Sequence, residues 1–207
     1  MTVVIVDYGM GNLASVQRAL EECGAAAQIV ADPAALQRAS HVILPGVGAF
    51  GDAMARIAAG GWVAPLRQLA VERVPLLGIC LGMQLLADCG EEGGLHAGLG
   101  LVPGRVTRLQ PSRSGERVPH VGWNEVCLQL AEPLFDGVPA NTDFYFVHSY
   151  HFLAARKEHV VACTPYCGEF ASVVRAGSVV GTQFHPEKSS RAGLRLLRNF
   201  LAARGDA

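Results

Sequence analysis

The sequence predicts an α/β fold, with a mostly parallel central sheet covered by helices and extended by added antiparallel strands. In the first half of the chain, short apolar runs alternate with segments whose apolar residues recur every three or four positions. Such alternation is typical of parallel strands joined by helices. After Gly93-Gly94 the segments become short and strand-like, with turn residues between them, which favours antiparallel strands. We expect one domain over residues 1–207.

Four strands and five helices are expected before Gly93, each from its apolar pattern and its flanking turn residues. The first helix begins near Asn12, a candidate N-cap, and Gly24 is a candidate stop. Asp32-Pro33 opens a short second helix, because a cap followed by proline is typical of a first turn. The strands are Val3–Asp7, Ala27–Val30, His41–Leu44 and Pro75–Ile79, and the other helices are Asp52–Ala59, Val63–Arg73 and Leu81–Asp88.

Six strands and one helix are expected in the second half. Ala176-Gly177-Ser178 joins the last two strands as a hairpin. The closing helix, about Ser190–Ala203, carries leucine and phenylalanine side chains on one side. The strands are Arg105–Leu109, Glu125–Gln129, Phe144–Ser149, Val160–Thr164, Ser172–Arg175 and Val179–Phe184.

The composition excludes several classes of protein. Half of the 207 residues are hydrophobic and 17% are charged, which excludes a disordered chain. The net charge of -1 argues against a general binder of nucleic acid or of anionic membranes, and no apolar run approaches about 18 residues. The start, Met1–Asp7, reads as a first strand because it lacks a basic region. Six scattered cysteines then indicate reduced thiols in the cytoplasm.

The segment from Leu77 to Gln84 has the pattern of a nucleophile elbow with cysteine in place of serine. A strand runs into Cys80 and a helix leaves it, with Gly78 and Gly82 two positions to either side. A Cβ at either glycine would collide across this tight turn. The N-terminal end of the helix favours a thiolate, which is the nucleophilic form. The alternative interpretation of Cys80 is an inert buried thiol.

His185-Pro186-Glu187 follows an apolar strand and supplies a base and its partner. Residues two apart in extended chain project to the same side, and the proline keeps His185 out of the helical region. A carboxylate at Glu187 can hold the imidazole in one tautomer and stabilise the imidazolium. Alone, such a tripeptide is more often a surface turn. Together with the elbow it predicts a Cys-His-Glu triad.

An oxyanion hole is expected beside Cys80. The backbone N–H of Leu81 is one donor by elbow geometry, and the second should come from the loop after the third strand. That loop is Pro45–Phe50, in which Val47 and Gly48 are the candidate donors. Its glycines allow a peptide plane to face the site and also to flip. The alternative is an ordinary glycine-rich turn.

With these residues the chain resembles the class I (triad) glutamine amidotransferases, whose hallmark is a Gly-x-Cys-x-Gly-x-Gln elbow with a downstream His-Pro-Glu. Gln84 supplies the last position of the elbow motif. Within the class, the chain is similar to glutaminase subunits of imidazole glycerol phosphate synthases. The segments that carry this likeness are Asp7–Asn12, Pro45–Phe50, Pro119–Asn124 and Tyr145–Tyr150. The resemblance implies a flavodoxin-like three-layer sandwich.

The resemblance also implies a reaction without a cofactor or a metal. Cys80 attacks the side-chain amide of glutamine, His185 protonates the departing ammonia, and water hydrolyses the thioester to glutamate. Gln84 and Glu92 should hold the head group of glutamine, with the backbone of Ser149 and Tyr150 near its carboxylate. Cys163 and Cys167 lack the second pair that a zinc site needs, so we expect no metal there.

A partner is implied because the chain is too short to hold an ammonia-using domain as well. By resemblance the partner is a (β/α)8-barrel cyclase, bound as a heterodimer and making imidazole glycerol phosphate and an aminoimidazole carboxamide ribonucleotide. Asn12, Trp123, Tyr145 and Lys188 would lie at or near the interface. Their alternatives are a helix cap, core aromatics and a solvated charge. We also expect the Gly46-Val47-Gly48 loop to gate activity, so that the isolated subunit is nearly silent.

Three other functions stay open at this point. The first is a glutaminase subunit of another synthase. The second is a stand-alone cysteine peptidase or thiol hydrolase, which would act without a partner. The third is a binding module that has kept the fold, which would require a broken triad, whereas all three triad residues are present here.

Overall fold

The computed structural model describes residues 1–203, and its first half follows the predicted alternation of strands and helices. Asn12 occupies the N-cap position of the first helix, but its side chain makes no capping hydrogen bond. Asp32 does cap, accepting from the N–H of Ala34 at 2.9 Å, and a 3-10 helix, Pro33–Arg38, follows. The elements are β1 (Val3–Val6), α1 (Leu13–Glu22), β2 (Ala27–Val30), β3 (His41–Gly46), α2 (Phe50–Ala59), α3 (Val63–Val71), β4 (Leu76–Cys80) and α4 (Leu81–Leu85).

The second half consists of strands and one long helix. The predicted hairpin is confirmed, since Ala176 pairs with Val179 across its turn. None of the helices within residues 1–203 combines the length and the apolar character needed to cross a membrane. The elements are β5 (Cys89–Gly90), β6 (His96–Ala97), β7 (Gly104–Arg108), β8 (His120–Leu128), β9 (Thr142–His148), β10 (Tyr150–Ala154), β11 (Val160–Thr164), β12 (Phe170–Ala176), β13 (Val179–Thr182) and α5 (Ser190–Ala202).

The sheet joins a parallel half to a half that is antiparallel except for the short pairing of β5 with β7. The order β2-β1-β3-β4-β13 is parallel throughout, and β13 then pairs antiparallel with β12. Beyond β12 the order continues as β10-β7-β5-β6, while β11, β8 and β9 branch from β12. Because β4 and β13 lie side by side and parallel, the residues that follow them meet at one edge. Cys80 ends the first of these strands and His185 follows the second.

Apolar layers cover both faces of the sheet, which confirms the three-layer arrangement. Successive residues of β1 alternate between the layers, as the pleat of a strand requires. Val3 and Ile5 pack with α1 and α5, whereas Val4 and Val6 pack with α2 and α3. All four side chains are buried.

Helix α4 ends at Leu85, three residues short of the predicted Asp88. The carbonyl groups that would extend it accept hydrogen bonds from the segment after β6 instead. Leu99 donates to Leu85, Gly100 to Ala87, and both Leu101 and Val102 to Leu86. With only five residues, α4 offers the N–H groups of its first turn but a much smaller dipole than the prediction assumed.

Several strand predictions also differ from the structure. β8 begins at His120 rather than Glu125, and the short strands β5 and β6 were not predicted. β10 was not predicted: only Ser149 separates it from β9, and the predicted strand Phe144–Ser149 ended at that residue.

β13 ends at Thr182 rather than Phe184. There the N–H of Gln183 donates to the carbonyl of Ser172 at 2.9 Å, and the Thr182 hydroxyl donates to the carbonyl of Phe184 at 3.1 Å. The first bond continues the pairing with β12 by one more residue, and the second turns the chain just before His185.

Candidate active site

The elbow at Cys80 has the strained backbone that its glycines predict. Cys80 lies at φ 55° and ψ -110°, a conformation rare for a residue with a side chain. A Cβ on Gly78 would lie 2.6 Å from the carbonyl oxygen of Gly82, and one on Gly82 would overlap the carbonyl oxygen of Leu44. Both contacts are with backbone, which cannot move aside cheaply. The turn therefore closes only with glycine at both positions.

His185 and Glu187 form a buried pair at the start of a 3-10 helix, Pro186–Lys188. Nδ1 of His185 donates to Oε1 of Glu187 at 2.8 Å, and both side chains are almost fully buried. The backbone N–H of His185 donates to the carbonyl of Tyr145 at 3.0 Å. The ring is thus held by Glu187, and the backbone of His185 by Tyr145. Its Nε2 is buried without a hydrogen-bond partner among the described residues.

The charge state of His185 reflects two opposing effects. Burial lowers the pKa of the imidazole, but the Cys80 sulfur and the Glu187 carboxylate raise it to about 9. A proton is therefore favoured on the ring beside the sulfur. An imidazolium next to a thiolate is the form in which a cysteine nucleophile is active.

A cavity of about 320 Å³ joins the predicted residues. A larger one, about 750 Å³, lies beside Glu132 and Arg175, and its described lining has neither cysteine nor histidine. We place the chemistry in the smaller cavity because it holds the nucleophile and the base. Nine predicted residues line it, namely Val47, Gly48, Cys80, Leu81, Gln84, Glu92, Ser149, Tyr150 and His185.

Gln84 is buried in this cavity and uses both hydrogens of its amide nitrogen. Its Nε2 donates to the carbonyl of Tyr150 at 2.9 Å and to Oε1 of Gln183 at 3.0 Å. The Nε2 of Gln183 in turn donates to Sγ of Cys80 at 3.8 Å. The thiol of Cys80 donates to the carbonyl of Val147, also at 3.8 Å.

The predicted oxyanion loop runs from β3 to α2 along one wall of the cavity. Gly48 lies at φ +106°, which only glycine adopts readily. Glu92 accepts from the N–H of Phe50 at 2.8 Å and so fixes the end of the loop at the start of α2. Leu81 is the first residue of α4, so its backbone N–H lies next to Cys80. Glu92 therefore has a structural hydrogen bond in addition to its predicted contact with substrate.

The described residues contain no cluster of side chains that could bind a metal ion. Within residues 1–203, no three His, Cys, Asp or Glu side chains are grouped as metal ligands. Cys163 lies opposite Cys127 in the pairing of β11 with β8. Burial raises the pKa of the Cys163 thiol to about 12, which keeps it protonated and poorly suited to a metal ion.

The sequence comparison with protein families is decisive. Residues 4–203 match the model of the family described as glutamine amidotransferase class-I. The chain belongs to this family. The match takes in the elbow and the His-Pro-Glu segment, and it spans both halves of the sheet.

Individual relatives of this amidotransferase are similar over almost their whole length. The imidazole glycerol phosphate synthase subunit HisH of Moorella thermoacetica is 52% identical over 198 residues, which are 96% of this chain and 93% of that protein. The HisH subunit of Symbiobacterium thermophilum is 50% identical, covering 96% and 92%. That of Halobacterium salinarum is 49% identical over 207 residues, covering 97% and 92%.

Solved structures confirm the amidotransferase-like fold. A crystal structure of a glutamine amidotransferase is 23% identical, with a TM-score of 0.73 over 96% of this chain and 97% of that one. PurLQS from Thermotoga maritima is 19% identical, with a TM-score of 0.75 over 97% of each chain. At these identities the likeness shows the fold and nothing finer.

The predicted interface residues of the amidotransferase are all at least partly exposed. Trp123 on β8 is 51% exposed, so it is not a core aromatic. It pairs with Tyr145 on β9, and their rings meet edge to face at 6.0 Å. Nζ of Lys188 lies 5.8 Å from the centre of the Tyr145 ring. Asn12 is exposed before α1.

Sequence reasoning missed three polar residues beside the cavity. Nδ1 of His148 donates to the Tyr150 carbonyl at 2.9 Å, and Nδ1 of His120 donates to Nε2 of His148 at 3.0 Å. Burial lowers the pKa of His120 to about 4 and that of His148 to about 3, so both rings are neutral. Gln183 is the third. His120 and His148 lie inside Pro119–Asn124 and Tyr145–Tyr150, two of the segments that carry the family likeness, and Gln183 lies two residues before His185. These signals gave none of the three side chains a role.

Proposed function

We propose that the chain is the glutaminase subunit of an imidazole glycerol phosphate synthase, hydrolysing glutamine to glutamate and ammonia. One observation carries the proposal. Cys80, His185 and Gln84 line a single cavity in a class-I glutamine amidotransferase, and relatives that are about half identical are named as HisH subunits.

The reaction begins with attack of the Cys80 thiolate on the side-chain amide carbon of glutamine. The carbonyl oxygen becomes an oxyanion, to which the N–H of Leu81 and an N–H of the Val47-Gly48 segment donate. When the C–N bond breaks, the proton on Nε2 of His185 goes to the departing nitrogen, and ammonia leaves. This direction of transfer agrees with the raised pKa of His185.

Water completes the cycle. Neutral His185 accepts a proton from the water that attacks the thioester carbon, and the C–S bond breaks to release glutamate and the Cys80 thiolate. Glu187 keeps Nδ1 of the ring protonated throughout, because its oxygen accepts from that atom at 2.8 Å. Nε2 is thus the atom through which the proton moves in both halves of the reaction.

The substrate is bound by the part of the cavity wall formed by Gln84, Glu92, Ser149 and Tyr150. Since both hydrogens of Gln84 Nε2 are used by protein carbonyl oxygens, its Oε1 is the atom left to accept from the substrate. The backbone of Ser149 and Tyr150 lines the same cavity and is proposed to bind the substrate carboxylate. Glu92 completes the wall and supplies a negative charge for the α-ammonium group.

The proposed partner is the (β/α)8-barrel cyclase, which uses the ammonia. The relatives are named as subunits of a synthase, and a subunit acts in a complex. The exposed Trp123, with Tyr145 and Lys188 beside it, forms a partly apolar face on β8 and β9 next to His185. Docking there would collect ammonia at its point of release. Binding of the cyclase and its nucleotide would also bias the Gly46-Val47-Gly48 loop.

Glutamate release from glutamine tests the function. Wild type, Cys80→Ala and a control, Cys89→Ala, are assayed alone, with the cyclase, and with the cyclase and its nucleotide ligand. We expect activity only with partner and ligand, lost in Cys80→Ala and kept in Cys89→Ala. High activity of the isolated chain would overturn the gating by the loop. No activity on glutamine under any condition would overturn the proposed function, and would favour a peptidase or another synthase.

A further inference from the structure

Gln183 lies between the nucleophile and the residue proposed to bind substrate. Its side chain is fully buried, and its backbone N–H donates to the carbonyl of Ser172 at 2.9 Å. The carboxamide contacts Sγ of Cys80 on one side and Nε2 of Gln84 on the other. These contacts join positions 103 and 99 residues apart in the chain. None of the catalytic steps above uses this side chain.

The orientation of the Gln183 amide follows from its surroundings. A backbone carbonyl can only accept, so the Gln84 atom that lies 2.9 Å from the Tyr150 oxygen must be the amide nitrogen. That same nitrogen lies 3.0 Å from Gln183, which must therefore present its oxygen. The nitrogen of Gln183 then faces the sulfur. One carbonyl thus determines both amides, without any choice between nitrogen and oxygen.

One further contact holds this arrangement. The Tyr150 carbonyl also accepts from Nδ1 of His148 at 2.9 Å, and so receives two donors. Because the pKa of His148 is lowered to about 3 by burial, the ring keeps a single N–H at neutral pH. That N–H is committed to the Tyr150 carbonyl. From Gln84 onward each amide nitrogen donates toward the sulfur, that of Gln84 to Gln183 and that of Gln183 to Cys80.

We propose that Gln183 is a positioning residue for the nucleophile, donating its amide N–H to the Cys80 thiolate and linking the place of the sulfur to that of Gln84. A thiolate has no hydrogen to give to the Val147 carbonyl, so that contact of the thiol is lost on ionisation. Ionisation also strengthens the hydrogen bond from the Gln183 N–H to the sulfur, because the acceptor is then charged. The inference rests on the proposed role of Cys80, but it can be measured without glutamine.

Two substitutions at Gln183 test separately its N–H donor to the Cys80 sulfur and its oxygen acceptor for Gln84. Gln183→Met keeps the length of the side chain and removes both functions. Gln183→Glu keeps an oxygen for Gln84 but turns a carboxyl oxygen toward the sulfur. Ser172→Ala is the matched control, because the Ser172 side chain is also buried, its hydroxyl has no partner among the described residues, and its carbonyl still accepts from Gln183.

The first readout is the rate of Cys80 alkylation by iodoacetamide against pH, followed by mass spectrometry of the Cys80 peptide in the full chain. We expect the midpoint of the dependence of the alkylation rate on pH to rise by about one pH unit or more in both Gln183 variants. Below that midpoint, such a rise corresponds to a tenfold smaller fraction of thiolate. Ser172→Ala should leave the midpoint unchanged. A midpoint within about 0.2 pH units of wild type in both folded Gln183 variants would overturn the proposal.

Glutamine kinetics in the complex with the cyclase give the second readout. Gln183→Glu should lower kcat about tenfold with little change in KM, because Gln84 keeps its acceptor. Gln183→Met should lower kcat and raise KM together. Equal effects on KM in both variants would contradict the division of roles. If neither the complex nor the chain turns over glutamine, the proposed function fails while the alkylation result still stands.

A measurement on wild type decides the matter if the variants do not fold. The side-chain NH₂ signals of Gln183 are followed by NMR in the ¹⁵N-labelled chain across the pH range of the alkylation experiment. We expect them to shift with the same midpoint as Cys80 alkylation, and to be flat in Cys80→Ala. Chemical shifts of the Gln183 NH₂ group that stay constant while Cys80 ionises in wild type would overturn the proposal.

Discussion

Oε1 of Glu187 lies 2.8 Å from Nδ1 of His185, and the other oxygen of the same carboxylate has no partner among the described residues. The carboxylate is therefore committed to the imidazole alone. It is buried with the ring, so water competes poorly for the hydrogen bond. This one contact sets the tautomer in which Nε2 faces the sulfur.

Replacing Glu187 with glutamine should lower glutamine turnover by about 10²–10⁴-fold. The amide can turn its NH₂ toward Nδ1, which would move the ring proton to Nε2 and remove the base. Stopped assays of glutamate release in the complex measure this. The control is Glu158→Gln, at an exposed position paired only loosely with Arg156 at 3.7 Å. Turnover within threefold of wild type would contradict a role for Glu187 in catalysis.

Acid should destabilise the protein through His120 and His148. Their folded pKa values, about 4 and about 3, lie below the ordinary 6.5, so the unfolded chain binds more protons between those values. The free energy of unfolding should fall by about 2 kcal/mol for each ring as the pH drops from 6.5 to 5. Urea denaturation at the two pH values gives the difference.

The variants for this prediction are His120→Gln and His148→Gln, with His96→Gln as the control. Each of the first two should remove its own share of the difference between pH 6.5 and pH 5, because glutamine cannot take up a proton. An unchanged pH dependence in the double variant would show that other groups cause the loss.

Gly82→Ala should destabilise the chain by several kcal/mol, because the new Cβ would overlap the backbone carbonyl of Leu44. Gly177→Ala serves as the comparison. It adds the same methyl group in open space, at φ +57°, and should cost only about 1–2 kcal/mol of backbone strain. Chemical denaturation compares the two. Equal losses would mean that the elbow can relax.

Arg175→Met should cost about 3 kcal/mol without affecting the active site. Arg175 makes two bonds of 2.7 Å to the carboxylate of Glu132, which is buried and would be left unpaired. Arg156→Met breaks only the exposed 3.7 Å contact with Glu158 and should change stability by less than about 0.5 kcal/mol. Thermal unfolding, together with alkylation of Cys80, distinguishes a loss of stability from a change at the site.

Trp123→Ala should weaken binding of the cyclase by about 2 kcal/mol or more if the exposed ring is buried on docking. Val71→Ala, at an exposed apolar position on α3, is the control. Titration calorimetry with the cyclase measures both. Equal affinities for wild type and Trp123→Ala would place the docking surface elsewhere.

Local pattern was sufficient for the parallel half of the fold and for the elbow. The spacing of Gly78, Cys80 and Gly82 is a short-range pattern, although one of the collisions that require it is with the carbonyl oxygen of Leu44 on the neighbouring strand β3. The parallel strands were found because each is a short apolar run between turn residues. Both kinds of signal lie within about ten residues of chain.

Long-range contacts account for what was missed. Helix α4 stops at Leu85 because carbonyl groups after it are taken by residues near 100. His120 meets His148 only through the register of β8 and β9. Gln183 meets Cys80 across two strands joined by a crossover. No local pattern encodes a pairing register, so these contacts required the structure.

The assembly of the site from distant pieces also bears on protein synthesis. Cys80 leaves the ribosome long before Gln183 and His185, since Cys80 and Gln183 lie 103 positions apart in the chain. At about 5–20 residues per second, the nucleophile exists for roughly 5–20 seconds without its base. A nascent or truncated chain that ends in this interval lacks His185 and Glu187. We therefore expect it not to hydrolyse glutamine until the last two strands and helix α5 have been made.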